Sequence, residues 1–138
     1  MKLATSIFAA SLFATAAFAQ PQAVTIEVTG VAESKGFVLV SVFDKAEGWL
    51  KRPVQFARVE AKVGTLSVIV PDLAEGDYAF SVIHDVNANN KLDSNAIGIP
   101  TEPYGFSNDA AGIFGPPKFE DARVKVGKDA NKFSVKLN

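Results

Sequence analysis

Side-chain oxygens recur at alternate positions in the run His84-Asp85-Val86-Asn87-Ala88-Asn89-Asn90-Lys91-Leu92-Asp93: at Asp85, Asn87 and Asn89, with a fourth at Asp93. A loop that curls around a hard cation such as calcium needs oxygens at such intervals, because alternate residues of a tight loop can point inward together. In that arrangement Asp85 and Asp93 supply carboxylates, Asn87 and Asn89 amide oxygens, and Lys91 a backbone carbonyl. Asn90 stands where an EF-hand loop wants glycine, and asparagine tolerates the left-handed conformation better than most residues. The closing glutamate of an EF-hand is missing, with Ala96 in its place, and strand rather than helix periodicity precedes Asp85. Two carboxylates give a calcium affinity on the order of 10⁻⁴–10⁻³ M. The competing reading needs no metal, since Asp and Asn in such a run form Asx-turns that cap their own backbone.

Other chemistry is sparse. His84 is the single histidine and the chain has no cysteine, which leaves a transition-metal site without ligands. On a strand His84 and Asp85 point to opposite faces, so they are badly placed as a catalytic pair. A small hydrolase would need His84 to meet Ser107 or Glu102, yet no nucleophile-elbow signature surrounds Ser107. His84 is therefore read as a buried or loop-anchoring residue, the protein as non-enzymatic, and no catalytic residue is assigned. Trp49, Tyr104 and Phe106 offer a second binding chemistry. Exposed together they would form a platform for a glycan or a peptide, whereas buried they would plug the open end of the fold.

The elements that must position these residues read as strands. Val24, Ile26 and Val28 alternate with Thr25, Glu27 and Thr29, and Phe37 to Phe43 is apolar on both faces, as a central strand would be. Further runs cover 54–63, 66–70, 78–84, 119–126 and 131–137. That gives about seven short strands and no helix of ten residues, so an all-β, antiparallel two-sheet sandwich is expected, immunoglobulin-like or transthyretin-like. Gly76 and Tyr78 mark a strand entry at which the tyrosine hydroxyl can bond back across the corner. Residues 85–118 carry no strand or helix periodicity, and four glycines and four prolines from Gly98 to Pro117 argue against regular structure there. This long loop also carries Ile97, Ile99, Tyr104, Phe106, Ile113 and Phe114, so it is expected to be ordered.

The N-terminus sets the compartment. Lys2 precedes an apolar run from Leu3 to Phe18, and Ala17-Phe18-Ala19 places signal-peptidase cleavage before Gln20. The expected organisation is a cleaved signal, residues 1–19, and one sandwich domain, residues 20–138, periplasmic or secreted. The run is shorter than the roughly 20 residues a membrane span needs, so no membrane insertion is expected after cleavage. Without Lys2 the chain has 13 basic and 15 acidic residues, a net charge of −2, which argues against nucleic acid. An envelope protein or a glycan is a more fitting partner.

The combination Gly76-Asp77-Tyr78, then His84-Asp85-Val86-Asn87 with Leu92-Asp93, then Gly98-Ile99-Pro100-Thr101-Glu102-Pro103-Tyr104-Gly105-Phe106-Ser107-Asn108, resembles a bacterial family of exported proteins. Pro117, Phe119 and Asp121-Ala122 add to the likeness, which spans essentially the whole mature chain. That family is known only as a domain of unknown function. The resemblance implies a small exported β-sandwich similar to transthyretin-like and carboxypeptidase regulatory-like domains, and it implies no reaction.

Overall fold

The computed structural model describes residues 20–138 together with Ala14 and Ala16. The expected signal segment otherwise lies outside the described residues. No helix among the described residues is long and apolar enough to cross a membrane.

Alternating side chains build the first strand, β1 (Gln22–Val31): Val24, Ile26 and Val28 are fully buried, and the residues between them are half-exposed. It is followed by β2 (Phe37–Phe43), β3 (Gln55–Glu60), β4 (Gly64–Leu73), β5 (Gly76–Asp85), β6 (Tyr104–Phe106), β7 (Val124–Val126) and β8 (Lys132–Lys136). One sheet has the order β4-β1-β8 and the other β3-β2-β5-β6, with β7 also pairing β5. The all-β sandwich expected from the sequence is the observed architecture. Between the sheets lies a core rich in valine, with Val38, Val40, Val42, Phe80 and Val82 facing Val24, Ile26, Val68 and Val135. Tyr78 donates its hydroxyl to the Ala74 carbonyl at 3.0 Å, which is the corner expected from Gly76-Asp77-Tyr78.

Three expectations need correction. The sandwich is not wholly antiparallel, because β1 and β8 pair in parallel from Thr25↔Lys132 to Thr29↔Lys136. Hydrophobic alternation fixes which face a strand buries but not its direction. Residues 119–126 are not one strand: Phe119–Ala122 is a single helical turn, which buries Phe119 and Ala122 on one side before β7 begins. The long loop is not free of regular structure either, since β6 runs through it and pairs with Ser81 to Ile83 of β5. Gly105 permits this rather than preventing it. A Cβ there would lie 2.2 Å from the Lys136 carbonyl oxygen, so only glycine lets β6 approach β8 so closely.

Along its length β5 changes partner, from β7 at Gly76–Tyr78 to β6 at Ser81–Ile83. The Phe80 N–H at the join would otherwise be buried without an acceptor, and the Ser107 hydroxyl accepts it at 2.8 Å. The same hydroxyl donates to the Ala122 carbonyl. Asn108 adds amide bonds to the carbonyls of Asp121 (3.3 Å) and Arg123 (2.8 Å), which ties the end of the long loop to the segment leading into β7.

Candidate functional site

Strand β5 ends at Asp85, whose side chain is completely buried. Its two oxygens accept the backbone N–H groups of Asn89 (3.1 Å) and Asn90 (2.7 Å), so the chain folds back over its own carboxylate. The turn this requires puts Ala88 and Asn90 at φ of 60° and 63°, and asparagine at 90 bears that conformation well. Two Asx-turns follow, with Asn87 Oδ1 accepting Asn89 N–H at 3.3 Å and Asn89 Oδ1 accepting Lys91 N–H at 3.2 Å. The amide nitrogens of Asn87 and Asn89 both donate to Asp93, those from Asn89 at 2.8 and 2.9 Å. Those bonds hold the Asp93 carboxyl below the ordinary value of 3.8, because they favour its charged form; the Asn89 bond is the larger cause, ahead of Asn87 and of the nearby Lys91.

The structure thus brings Asp85, Asn87, Asn89, Lys91 and Asp93 into one compact turn. Around it closes a residue that sequence reasoning weighed only as a catalytic acid. Glu102 is buried and accepts Val86 N–H with one oxygen and Asp93 N–H with the other, each at 3.0 Å. It clamps the two ends of the turn together. Thr101 N–H reinforces the clamp with a 2.8 Å bond to the Asp93 carbonyl. One signal was available: Glu102 is the single charged residue from Ser94 to Asn108. No group of three or more His, Cys, Asp or Glu side chains placed to hold a metal occurs among the described residues.

Trp49, Tyr104 and Phe106 also come together, on the face of the β3-β2-β5-β6 sheet turned away from the core. The Trp49 and Phe106 ring centroids lie 5.8 Å apart, as do those of Tyr104 and Phe106. Phe106 is only 7% exposed, Trp49 and Tyr104 are half-buried, and the Trp49 ring N–H donates to the Pro117 carbonyl at 2.8 Å. With Phe43, Ala79, Phe119 and Ala122 these rings form a second small core beneath the long loop.

Two apolar clefts open beside it. One, of about 270 Å³, has Ser41 and Ser81 in its lining alongside Phe43, Leu50 and Ile83. The other, of about 500 Å³, is lined by the loop residues Ile97, Ile99, Ile113 and Phe114. Leu92, Tyr104 and Phe106 belong to both. His84, Glu102 and Ser107 do not converge. His84 is fully buried, with Nε2 2.8 Å from the Lys35 carbonyl oxygen, Ser107 sits at Phe80, and Glu102 closes the turn.

Two outcomes follow from this geometry. Glu102→Ala should lower stability by about 1–3 kcal/mol in urea denaturation, since two half-buried N–H groups lose their acceptor. Glu102→Gln, which keeps one acceptor, should cost less than half of that, and hydrogen exchange at Val86 and Asp93 should rise in step. The second concerns acid. The folded pKa of Asp93 lies below its unfolded value, so its contribution is fully present above the ordinary 3.8 and is lost as pH falls through the depressed value. Asp93→Asn should therefore flatten the acid limb of a stability-versus-pH curve below pH 3.8 and leave the slope near neutrality unchanged.

Searches among curated proteins and among solved structures gave no match. A family model does match residues 26–134, the stretch that holds most of the two sheets, the clamped turn and both clefts, and its description is "uncharacterized protein conserved in bacteria (DUF2141)". With most of its length inside that match, the chain belongs to this bacterial family.

Proposed function

We propose that the protein is an exported, non-enzymatic binding module in which the long loop is the binding element and the clamped turn is its mount. One observation carries this reading. The loop is anchored by Asp85, Glu102 and Ser107, which are buried and bonded to backbone, and it leaves Ile97 80% and Ile113 90% exposed and Phe114 fully so. An exposed apolar cluster beside a cleft marks an interaction site. Hydrolysis is less well supported, because His84, Ser107 and Glu102 are each occupied by backbone partners in separate places.

Native mass spectrometry of protein purified gently from producing cells is the test. Wild-type protein should carry a non-covalent adduct, and a variant with Ile97, Ile99, Ile113 and Phe114 all replaced by serine should lose it while keeping its unfolding midpoint. A variant that unfolds many degrees lower would instead make these side chains structural, and the reading would fail.

Calcium is a second reading, supported by the convergence of Asp85, Asn87, Asn89 and Asp93 with Asn90 in the left-handed conformation. Rotation of the two amides would turn oxygens toward Asp93 in place of nitrogens. At an affinity near 10⁻⁴ M, about 10 mM calcium should add about 2.7 kcal/mol over EDTA, a rise in midpoint on the order of 10 °C. Magnesium should not reproduce it, and an Asp85→Ala, Asp93→Ala double variant should not show it. An unchanged midpoint would leave the turn closed by its hydrogen bonds alone.

A further inference from the structure

Each sheet ends in strands whose outer backbone groups need partners, and most of these edges are closed. Lys136 N–H of β8 donates to the Asp109 carboxylate at 3.2 Å, and the Tyr104 carbonyl of β6 accepts Asn138 N–H at 3.0 Å. β6 and β7 have three residues each. β4 carries Pro71, which has no N–H and whose carbonyl takes the Gln55 amide at 3.0 Å, and Asp72 beside it turns to a φ of 57°. Short edges, prolines and kinks of this kind are how sheets avoid further pairing. β3 has six residues, no proline and an unbroken register with β2.

Which groups β3 presents follows from that register. Ala61 N–H donates to the Gly36 carbonyl at 3.1 Å, one step beyond the Phe37↔Glu60 pair. Hydrogen-bonded and non-bonded pairs alternate along an antiparallel ladder. Val59, Ala57 and Gln55 therefore direct their N–H and C=O groups at β2, while Phe56, Arg58 and Glu60 turn theirs to the open edge. The Phe56 N–H is met there by the neighbouring Gln55 side-chain oxygen at 3.4 Å. Phe56, Arg58 and Glu60 also have exposed side chains, whereas Ala57 and Val59 pack against the core. Arg58 lies over the Phe37 ring at 3.3 Å, and among the described residues neither Arg58 nor Glu60 has an ion-pair partner.

We propose that β3 is a docking edge for a second copy of this chain, paired antiparallel with its own β3 about a two-fold axis at Val59. Charge complementarity selects the partner and the register together. A two-fold axis sets one residue opposite itself. At Arg58 or Glu60 it would face like charges, which is unfavourable, and at Ala57 it would set Arg58 against Phe56 and leave both charges unpaired. At Val59 it sets Arg58 of each copy opposite Glu60 of the other, twice over, with Phe56 against the Lys62 side chain. The same register suits the ladder: Arg58 and Glu60, whose backbone groups face outward, become hydrogen-bonded pairs, and Val59 becomes the non-bonded pair on the axis. An unrelated strand would need this Arg-x-Glu spacing, which a second copy has by necessity. A contact this short falls below the roughly 800 Å² per partner of a stable complex, so the dimer is weak and concentration-dependent. It lies at the opposite end of the sheet from β6 and is separate from the loop reading above.

Sedimentation equilibrium of the purified protein, carried up to about 1 mM, should show this reversible dimer. Arg58→Glu and Glu60→Arg should each weaken it at least tenfold, and the two together should restore it to within about threefold. Both side chains are exposed, so unfolding midpoints should stay within a few degrees of wild type. The chain has no cysteine, so a single engineered one can join only two copies. Val59→Cys should cross-link under mild oxidation, since facing Cα atoms of a non-bonded pair lie about 4.5 Å apart. Phe56→Cys should not, because its two copies would be about 20 Å apart along the strands.

A monomer at every concentration overturns the proposal, as does a dimer that both charge reversals leave at full strength. A dimer that Phe114→Asp dissolves while those reversals do not would move the interface to the long loop and overturn it too. Cross-linking of Phe56→Cys with none of Val59→Cys removes the register and the charge pairing with it.

Discussion

A pair of buried carboxyl groups whose oxygens are met by main-chain N–H groups is the constraint from which the rest of this structure follows. Asp85 and Glu102 are both withdrawn from solvent, and their four oxygens are satisfied by four backbone N–H groups, at Asn89, Asn90, Val86 and Asp93. A carboxylate removed from water is costly unless hydrogen bonds replace its hydration. Because these partners are main-chain groups, satisfying the charge means fixing the path of the chain. One acid folds the turn and the other closes it. The loop that continues from Asp93 to Pro103 is thereby returned to β5, where the His84 N–H meets the Pro103 carbonyl at 2.9 Å and β6 begins.

The opposite end of the loop is held by a different chemistry serving the same purpose. Ser107 and Asn108 supply the bonds that β5 and the 121–123 segment lack where the strand partner changes. Asp109 adds a bond to Lys136 N–H at 3.2 Å, and Tyr104 accepts Asn138 N–H at 3.0 Å, so the loop is joined to the second sheet as well. With both ends pinned by polar groups, the middle of the loop is free to present apolar ones.

Much of the fold was legible because period-two alternation reports burial directly: Val24, Ile26 and Val28 read as an inward face and are one. The parallel β1–β8 pair was not, because alternation carries no direction. β6 was hidden behind Gly105, where the glycine answers to a carbonyl on another strand rather than to its own neighbours. The candidate turn was legible from Asp85, Asn87, Asn89 and Asp93, since Asx chemistry acts over two to five residues. Glu102 and Ser107 were weighed only as partners a hydrolase would need, and their structural bonds were not foreseen. Their partners lie 9 and 16 residues from Glu102 and 15 and 27 from Ser107, distances over which spacing says nothing about contact.

The parallel pairing of β1 with β8 also bears on when this fold can exist. Ser134 and Glu27 meet across a sequence separation of 107 residues, and β1 is the middle strand of its sheet. That sheet therefore remains a two-stranded ribbon, marginal on its own, until residues 132–136 are available to it. Closing so long a loop is slow, and contacts of such high order form late in folding. A chain whose first strand waits for its eighth stays open through most of its synthesis.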